Sequence, residues 1–190
     1  MKLKTLLLVL LSLAAFSVSA QKFNPNPTFL KGESQINLVF DYSQVKFDGV
    51  SQENFYKKKD ARWIRDWEGQ RRDNNEKAFK IYSTKWLNRI DLDLDRHPNA
   101  KYTMIVNVDD CNFGGLAGPP TPRSPRATAS SATIQCTIDI VKTGTTEVLA
   151  SVSLKTSQRG FASPNEFDRI YFAFSEMGTE VTELLLSVLK

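Results

Sequence analysis

One histidine, His97, serves the whole chain of 190 residues. That excludes metal sites built from several histidines and leaves any histidine-based catalytic arrangement one residue to stand on. The G-x-S-x-G elbow, the P-loop and the dinucleotide-binding glycine fingerprint are missing as well, so no catalytic motif announces itself and no cofactor is expected. Beyond residue 20 no apolar run reaches the roughly 18 residues needed to cross a bilayer. Charge of one sign is also lacking, with 25 basic against 21 acidic residues. What is present, 41% hydrophobic, 24% charged and 11% aromatic residues, is the make-up of a packed globule and argues against disorder or a multi-span membrane protein.

Met1 to Ala20 joins Lys2 and Lys4 to the apolar run Leu6 to Phe16 and then to Val18-Ser19-Ala20. These are the charged, apolar and small-residue parts of a cleavable secretory signal. The run, broken by Ser12, is too short for a membrane anchor. No cysteine follows the cleavage point, so lipid attachment is not expected. The mature chain, from Gln21, is expected in a periplasm or outside the cell, with no transmembrane segment. Without Lys2 and Lys4 it carries 23 basic and 21 acidic residues, a net of +2.

In an oxidising compartment Cys111 and Cys136 invite a disulfide. Strand parity opposes it: Tyr102, Met104, Val106 and Val108 share one face, which puts Cys111 on the other, while Cys136 sits with Ile134, Ile138 and Ile140. A bulge, or the end of the strand, near Asp109-Asp110 would repair the mismatch. The alternative is one buried thiol and one loop thiol.

Residues 21–34 hold two prolines and a glycine and read as a lead-in to a single domain over 35–190. Ile36, Leu38, Phe40 and Tyr42 alternate as a first strand. From Ser51 to about Ile90 proline is absent, and Gly69 divides the stretch into a helix around Phe55 to Trp67 and a longer one from about Asp73. Phe79, Tyr82, Trp86 and Ile90 predict the buried stripe of that second helix. A strand over Lys101 to Asp109 leads into a Pro/Gly loop at 112–130, with Gly114, Gly115, Gly118 and four prolines. Two strands, Thr133 to Val141 and Val148 to Leu154, follow as a hairpin through Gly144. Ser163-Pro164-Asn165-Glu166 predicts a capping box for a closing helix whose stripe runs from Phe167 to Val188. The order β-α-β-β-β-α predicts an α+β fold: about four strands, mostly antiparallel, with helices packed on one face.

The segment AKYTMIVNVDDCNFGG, its Gly/Pro loop and the hairpin SATIQCTIDIVKTGTTEVLASVSL resemble an uncharacterised family of secreted bacterial envelope proteins. More distantly they resemble the small α/β domains of lipoproteins that activate penicillin-binding proteins or assemble curli pores. The resemblance spans about residues 36–190 and implies a binding or assembly module of the envelope, with no catalytic residues to carry over. The chain departs from those lipoproteins in having no lipidated cysteine and a longer, more basic first helical region.

That region is the sharpest feature. Residues 55–90 carry eleven basic and five acidic residues, a net of +6, so the rest of the mature chain is −4. Lys57, Lys58, Lys59, Arg62, Arg65, Arg71 and Arg72, with Trp63 and Trp67 among them and Trp86 further along adding aromatic surface, form the candidate surface for an anionic polymer or an envelope protein. Export disfavours nucleic acid. The competing reading is a solvated helix face with its tryptophans in the core. Asp91, Asp93 and Asp95 mimic half of a calcium loop, but Arg96 stands where glycine is needed and Tyr102 where the closing glutamate belongs, so no metal is expected. Asp109, Asp110 and Asp139 support a rival reading, a carbohydrate-active hydrolase using strand-end carboxylates. The Pro/Gly loop is a candidate contact element, and His97 before Pro98 reads as a turn residue.

Overall fold

The computed structural model describes residues 21–117, 128–129, 131–158, 163 and 165–190, with the side chains of 116–117 and 128–129 left aside. The expected signal at 1–20 and the proline-rich part of the loop lie outside the described residues.

Alternating apolar residues build the sheet. β1 (Gln35–Asp41) buries Ile36 and Leu38, β5 (Tyr102–Asn112) buries Met104, Val106 and Val108, β8 (Thr133–Lys142) buries Ile134, Cys136, Ile138 and Ile140, and β9 (Val148–Ser157) buries Ala150, Val152 and Leu154. The two long ladders, β5 with β8 and β8 with β9, are antiparallel. Thr143, Gly144 and Thr145 turn the hairpin between them, Gly144 at φ 80°, a value that favours glycine.

The sheet has more strands than the four expected, although the α+β class and the packing of helices on one face stand. β2 (Lys46–Phe47) and β3 (Val50–Ser51) form a small hairpin beside the end of β5, and β4 (Asp93–Asp95) adds to β1. β1 runs parallel to both β4 and β5. A helical connection separates β1 from β5, and such a crossover returns the chain in the same direction. In the Pro/Gly loop, β6 (Leu116–Ala117) pairs with β7 (Thr128–Ala129).

The helical stretch has three pieces: α1 (Gln52–Tyr56), α2 (Ala61–Asp66) and α3 (Arg72–Leu87). Asp60 caps α2 by accepting from the Trp63 amide at 2.8 Å. A wide turn at Trp67–Arg71, with Gly69 out of helical geometry, separates α2 from α3, as the glycine predicted. The closing helix, α4 (Glu166–Leu189), is about 36 Å long at 1.5 Å per residue and packs against β8, β9 and α3.

Three expectations change. First, the buried residues of α3 are Asn75, Ala78, Phe79, Ser83 and Leu87, while Tyr82 is exposed and Trp86 only half-buried. The inner face places Ala78 and Ser83 beside Phe79 and Leu87, and α4 comes very close there: a Cβ at Gly178 would run into the Phe79 carbonyl, and the Thr182 hydroxyl donates to the Ser83 carbonyl at 3.1 Å. Second, the cap of α4 is Asn165, which accepts from the Phe167 amide at 2.9 Å. Ser163 instead accepts from the Asn165 amide at 3.1 Å, and Glu166 is engaged by Trp63 and Lys59. Third, Cys111 and Cys136 are both free thiols and both buried. The anticipated bulge occurs at Asp109, between the pairs Val108↔Cys136 and Asp110↔Gln135, and turns Cys111 to the buried face opposite Ile134. The two cysteines are therefore diagonal neighbours, a placement of about 7–8 Å between Cα atoms, beyond the span of about 4.4–6.8 Å that a disulfide bridges. Burial pushes both thiols up from their ordinary range, and the Cys136 Sγ lies 3.2 Å from the Met177 Sδ.

The lead-in at 21–34 is packed rather than loose: Phe23 and Leu30 are in the core, and Asn24 bridges to Ser151 of β9.

Candidate functional site

The basic helical region separates into two unlike parts. Around α1 and α2 the aromatic residues close one end of the core. Trp63 stacks on Trp67 with centroids 6.0 Å apart, one turn along the helix. Phe47, Phe113 and Phe167 surround them at 5.2–5.5 Å. Trp67 is 2% exposed, so these two tryptophans offer no aromatic surface to a partner.

Several of the expected cations serve that cluster. The Lys59 ammonium sits 4.6 Å from the Trp63 ring and 3.5 Å from the Glu166 carboxylate, and the Trp63 indole N–H donates to Glu166 at 2.5 Å. The Arg71 guanidinium covers Phe167 at 4.9 Å, and that of Arg72 covers Tyr42 at 4.9 Å. Lys57 pairs with Glu53 at 2.8 Å and Arg62 with Asp66 at 3.9 Å. Lys58 and Arg65 are exposed.

The outer face of α3 lies within the same basic region but beyond the residues singled out as its candidate surface, which end at Arg72. Lys77, Ile81 and Lys85 recur every four residues and therefore share a face. Ile81 is 59% exposed and Tyr82 40%. The Trp86 ring is covered by Arg89 at 4.1 Å and approached by Lys85 at 5.8 Å. The result is an apolar patch bordered by cations. The spacing of Tyr82 and Trp86 reads equally as a buried stripe, and only their exposure in the structure decides between the two.

The other side of α3 forms one wall of a groove of about 700 Å³. Leu38, Val39 and Phe40 of β1 line the opposite wall, with Asp95, Arg96 and Pro98 at one end. Lys80 pairs with Asp95, and Arg96 reaches Glu76 at 3.5 Å. Burial raises the Glu76 carboxyl above its ordinary range, against the pull of Arg72 and Arg96. Burial and the neighbouring Glu76 raise the Tyr42 phenol well above its own.

The carboxylates of the hydrolase reading lie on the open face of the sheet. Asp109 accepts from the Thr137 hydroxyl at 3.0 Å, and Asp139 from Asn107 at 2.8 Å and Ser151 at 2.6 Å. Together with Asp41, these two line a shallow depression of about 330 Å³. Asp110 turns to the β2–β3 hairpin, accepting from the Gly49 amide at 3.0 Å. The half-calcium-loop aspartates do not converge: Asp93 is 2.8 Å from His97 and Asp95 serves Lys80. His97 turns the chain, donating its amide to the Asp95 carbonyl and accepting from the Ala100 amide. Among the described residues no cluster of metal-ligating side chains occurs, and no helix is long and apolar enough to cross a membrane.

The root of the Pro/Gly loop is pinned by Arg169 of α4. It is buried and donates to the carbonyls of Phe113 at 2.8 Å and Ser163 at 2.7 Å.

No protein-family model matches the chain, and no curated protein matches it. Among solved structures, a PelC dodecamer from Paraburkholderia phytofirmans is similar at 8% identity and a TM-score of 0.38, covering 78% of this chain and 88% of that one. A neuraminyllactose-binding hemagglutinin homologue from Helicobacter pylori is similar at 9% identity and a TM-score of 0.41, covering 84% of this chain and 85% of that one. The likeness to penicillin-binding-protein activators and curli-assembly proteins remains an expectation from the sequence.

Proposed function

We propose that the protein is an exported, non-enzymatic binding or assembly module of the bacterial envelope, and that it holds an anionic polymer against the cationic side of its helical region. The observation that carries this reading is the outer face of α3, where Trp86 lies under Arg89 and beside Lys85 with Ile81 and Tyr82 exposed next to them. A flat ring flanked by cations suits a chain of carboxylated sugars: the ring covers apolar sugar faces while the cations meet the carboxylates. Lys58 and Arg65 extend the positive field, whereas Lys57 and Arg62 are partly neutralised by their own acidic neighbours.

The test is binding to polygalacturonate, with uncharged dextran as the control. Reversing Lys77, Lys85 and Arg89 together to glutamate should weaken binding at least tenfold, equivalent to about 1.4 kcal/mol, and binding should fall as salt rises. Reversing Lys57 and Lys58 should cost less. Salt-insensitive binding, or binding untouched by the α3 substitutions, overturns the proposal. The envelope-protein alternative would instead show capture of a protein by the same face, with no affinity for the polymer. For the hydrolase rival, the depression holding Asp109 and Asp139 is the place to test: polymer cleavage that Asp139→Asn abolishes would favour it.

A further inference from the structure

We propose that the uncovered edge of β1, from Leu38 to Asp41, is a strand-addition site that takes an extended segment of a partner protein with an acidic side chain facing Arg72 and Lys77. The inference stands apart from the polymer-binding reading, which centres on Trp86, Lys85 and Arg89 of α3 and shares only Lys77 with this groove.

The first ground is register. β4 covers β1 only at Gln35, Ile36 and Asn37, through Asp93, Leu94 and Asp95. After Asp95 the chain turns away at His97, while β1 continues to Asp41 paired on its other side with β5. The Asp93 amide donates to the Ser34 carbonyl at 2.9 Å, which sets the phase of this edge. Alternate residues present their backbone to alternate neighbours, so Ile36, Leu38 and Phe40 follow Ser34 in facing the β4 side. The Leu38 carbonyl and both backbone groups of Phe40 therefore point past the end of β4, where among the described residues no strand meets them.

The second ground is shape. Sheet edges are ordinarily blunted by charge, by a bulge or by a covering element. Here α3 stands off from the edge and leaves the groove of about 700 Å³ between them. Val39, at the middle of the open edge, is 41% exposed and offers a β-branched neighbour for a cross-strand contact. Four residues at about 3.3 Å each give the edge a length of roughly 13 Å.

The third ground is charge. Glu76 is already paired with Arg96, and Asp95 with Lys80. Arg72 covers Tyr42, and its Nε is buried with no hydrogen-bond partner. Lys77 lines the same wall. Asp73 is on that wall too, but Arg72 and Lys77 together outweigh it, and the net positive charge left over favours an acidic group on the added strand.

The probe is a blocked hexapeptide, Ser-Val-Glu-Val-Thr-Ser, titrated against the full mature chain. It should bind saturably. Replacing its glutamate by lysine, or methylating its central backbone amides, should each weaken binding at least tenfold, and hydrogen exchange at the Phe40 amide should slow in the complex. Val39→Lys, on an exposed position, should abolish peptide binding while leaving thermal melting and polygalacturonate binding unchanged. Arg72→Gln should erase the preference for glutamate over lysine. Absence of saturable binding, indifference to backbone methylation or an unchanged Phe40 amide overturns the proposal. So does a self-association that Val39→Lys dissolves, which would assign the edge to a second copy of this chain.

Discussion

The α1–α2 segment and the outer face of α3 share one vocabulary, tryptophan set among lysine and arginine, and use it in opposite senses. In α1–α2 the rings of Trp63 and Trp67 are core and their cations act as lids: Lys59 over Trp63, Arg71 over Phe167. On α3 the ring of Trp86 is only half-buried, and its cations, Lys85 and Arg89, border the exposed Ile81 and Tyr82. What differs is the packing partner. The first segment lies against Phe47 and Phe113, which need large rings to fill the end of the sheet. The inner face of α3 meets Gly178 and Thr182 of α4 by close approach at the Phe79 and Ser83 carbonyls. Cation and aromatic counts therefore do not identify a surface; the residue across the contact does.

Truncating the two tryptophans tests this contrast most strongly. Trp67→Ala should destabilise the protein by about 3–5 kcal/mol, the cost of a large cavity. Trp86→Ala should cost under about 1 kcal/mol but weaken polygalacturonate binding. Urea unfolding of both variants, with binding measured on the second, is the check; equal destabilisation would erase the distinction.

Gly178→Ala comes next. If α3 is held by backbone approach to α4, one added methyl should cost about 1–3 kcal/mol through overpacking, a large effect for the smallest of substitutions. A thermal melt within error of the parent would mean that the helices separate easily and that the outward position of Tyr82 and half-buried Trp86 is not enforced.

Much of the fold was legible because its signals are local. Period-two alternation marked the strands, Gly69 the break before α3, and Gly144 the hairpin. The parity conflict at Cys111 left a bulge or a strand end near Asp109-Asp110 as its repair, and the structure has a bulge at Asp109. The failures needed knowledge of a neighbour. Nothing in Phe79, Tyr82 and Trp86 shows that Gly178 will bring α4 close enough to rotate the buried face toward Ala78 and Ser83. Nothing in Ser163-Pro164-Asn165-Glu166 shows that Trp63, over 100 residues away in sequence, will take the Glu166 carboxylate and leave the cap to Asn165. The groove beside β1 was invisible for the same reason, since it depends on where β4 stops.

The smallest expected effect lies on the side of α3 that faces this groove. Burial raises the Glu76 carboxyl above its ordinary value, with Arg72 and Arg96 opposing the shift. A carboxyl raised in the folded state binds its proton more tightly there than in the unfolded chain. Its contribution is most favourable below the unfolded value near 4.5 and declines as pH rises through the higher folded value. Glu76→Gln, which keeps the shape and removes the titration, should therefore flatten the fall in stability over that mildly acidic window. Urea midpoints taken from pH 4 to pH 7 should converge for parent and variant at the acidic end, with the variant the more stable at the neutral end. The reverse order would show that Arg72 and Arg96 outweigh burial. In that case the groove wall of α3 would be a satisfied ion-pair network like the lids of α1–α2, and the contrast between the two regions would be confined to the outer face.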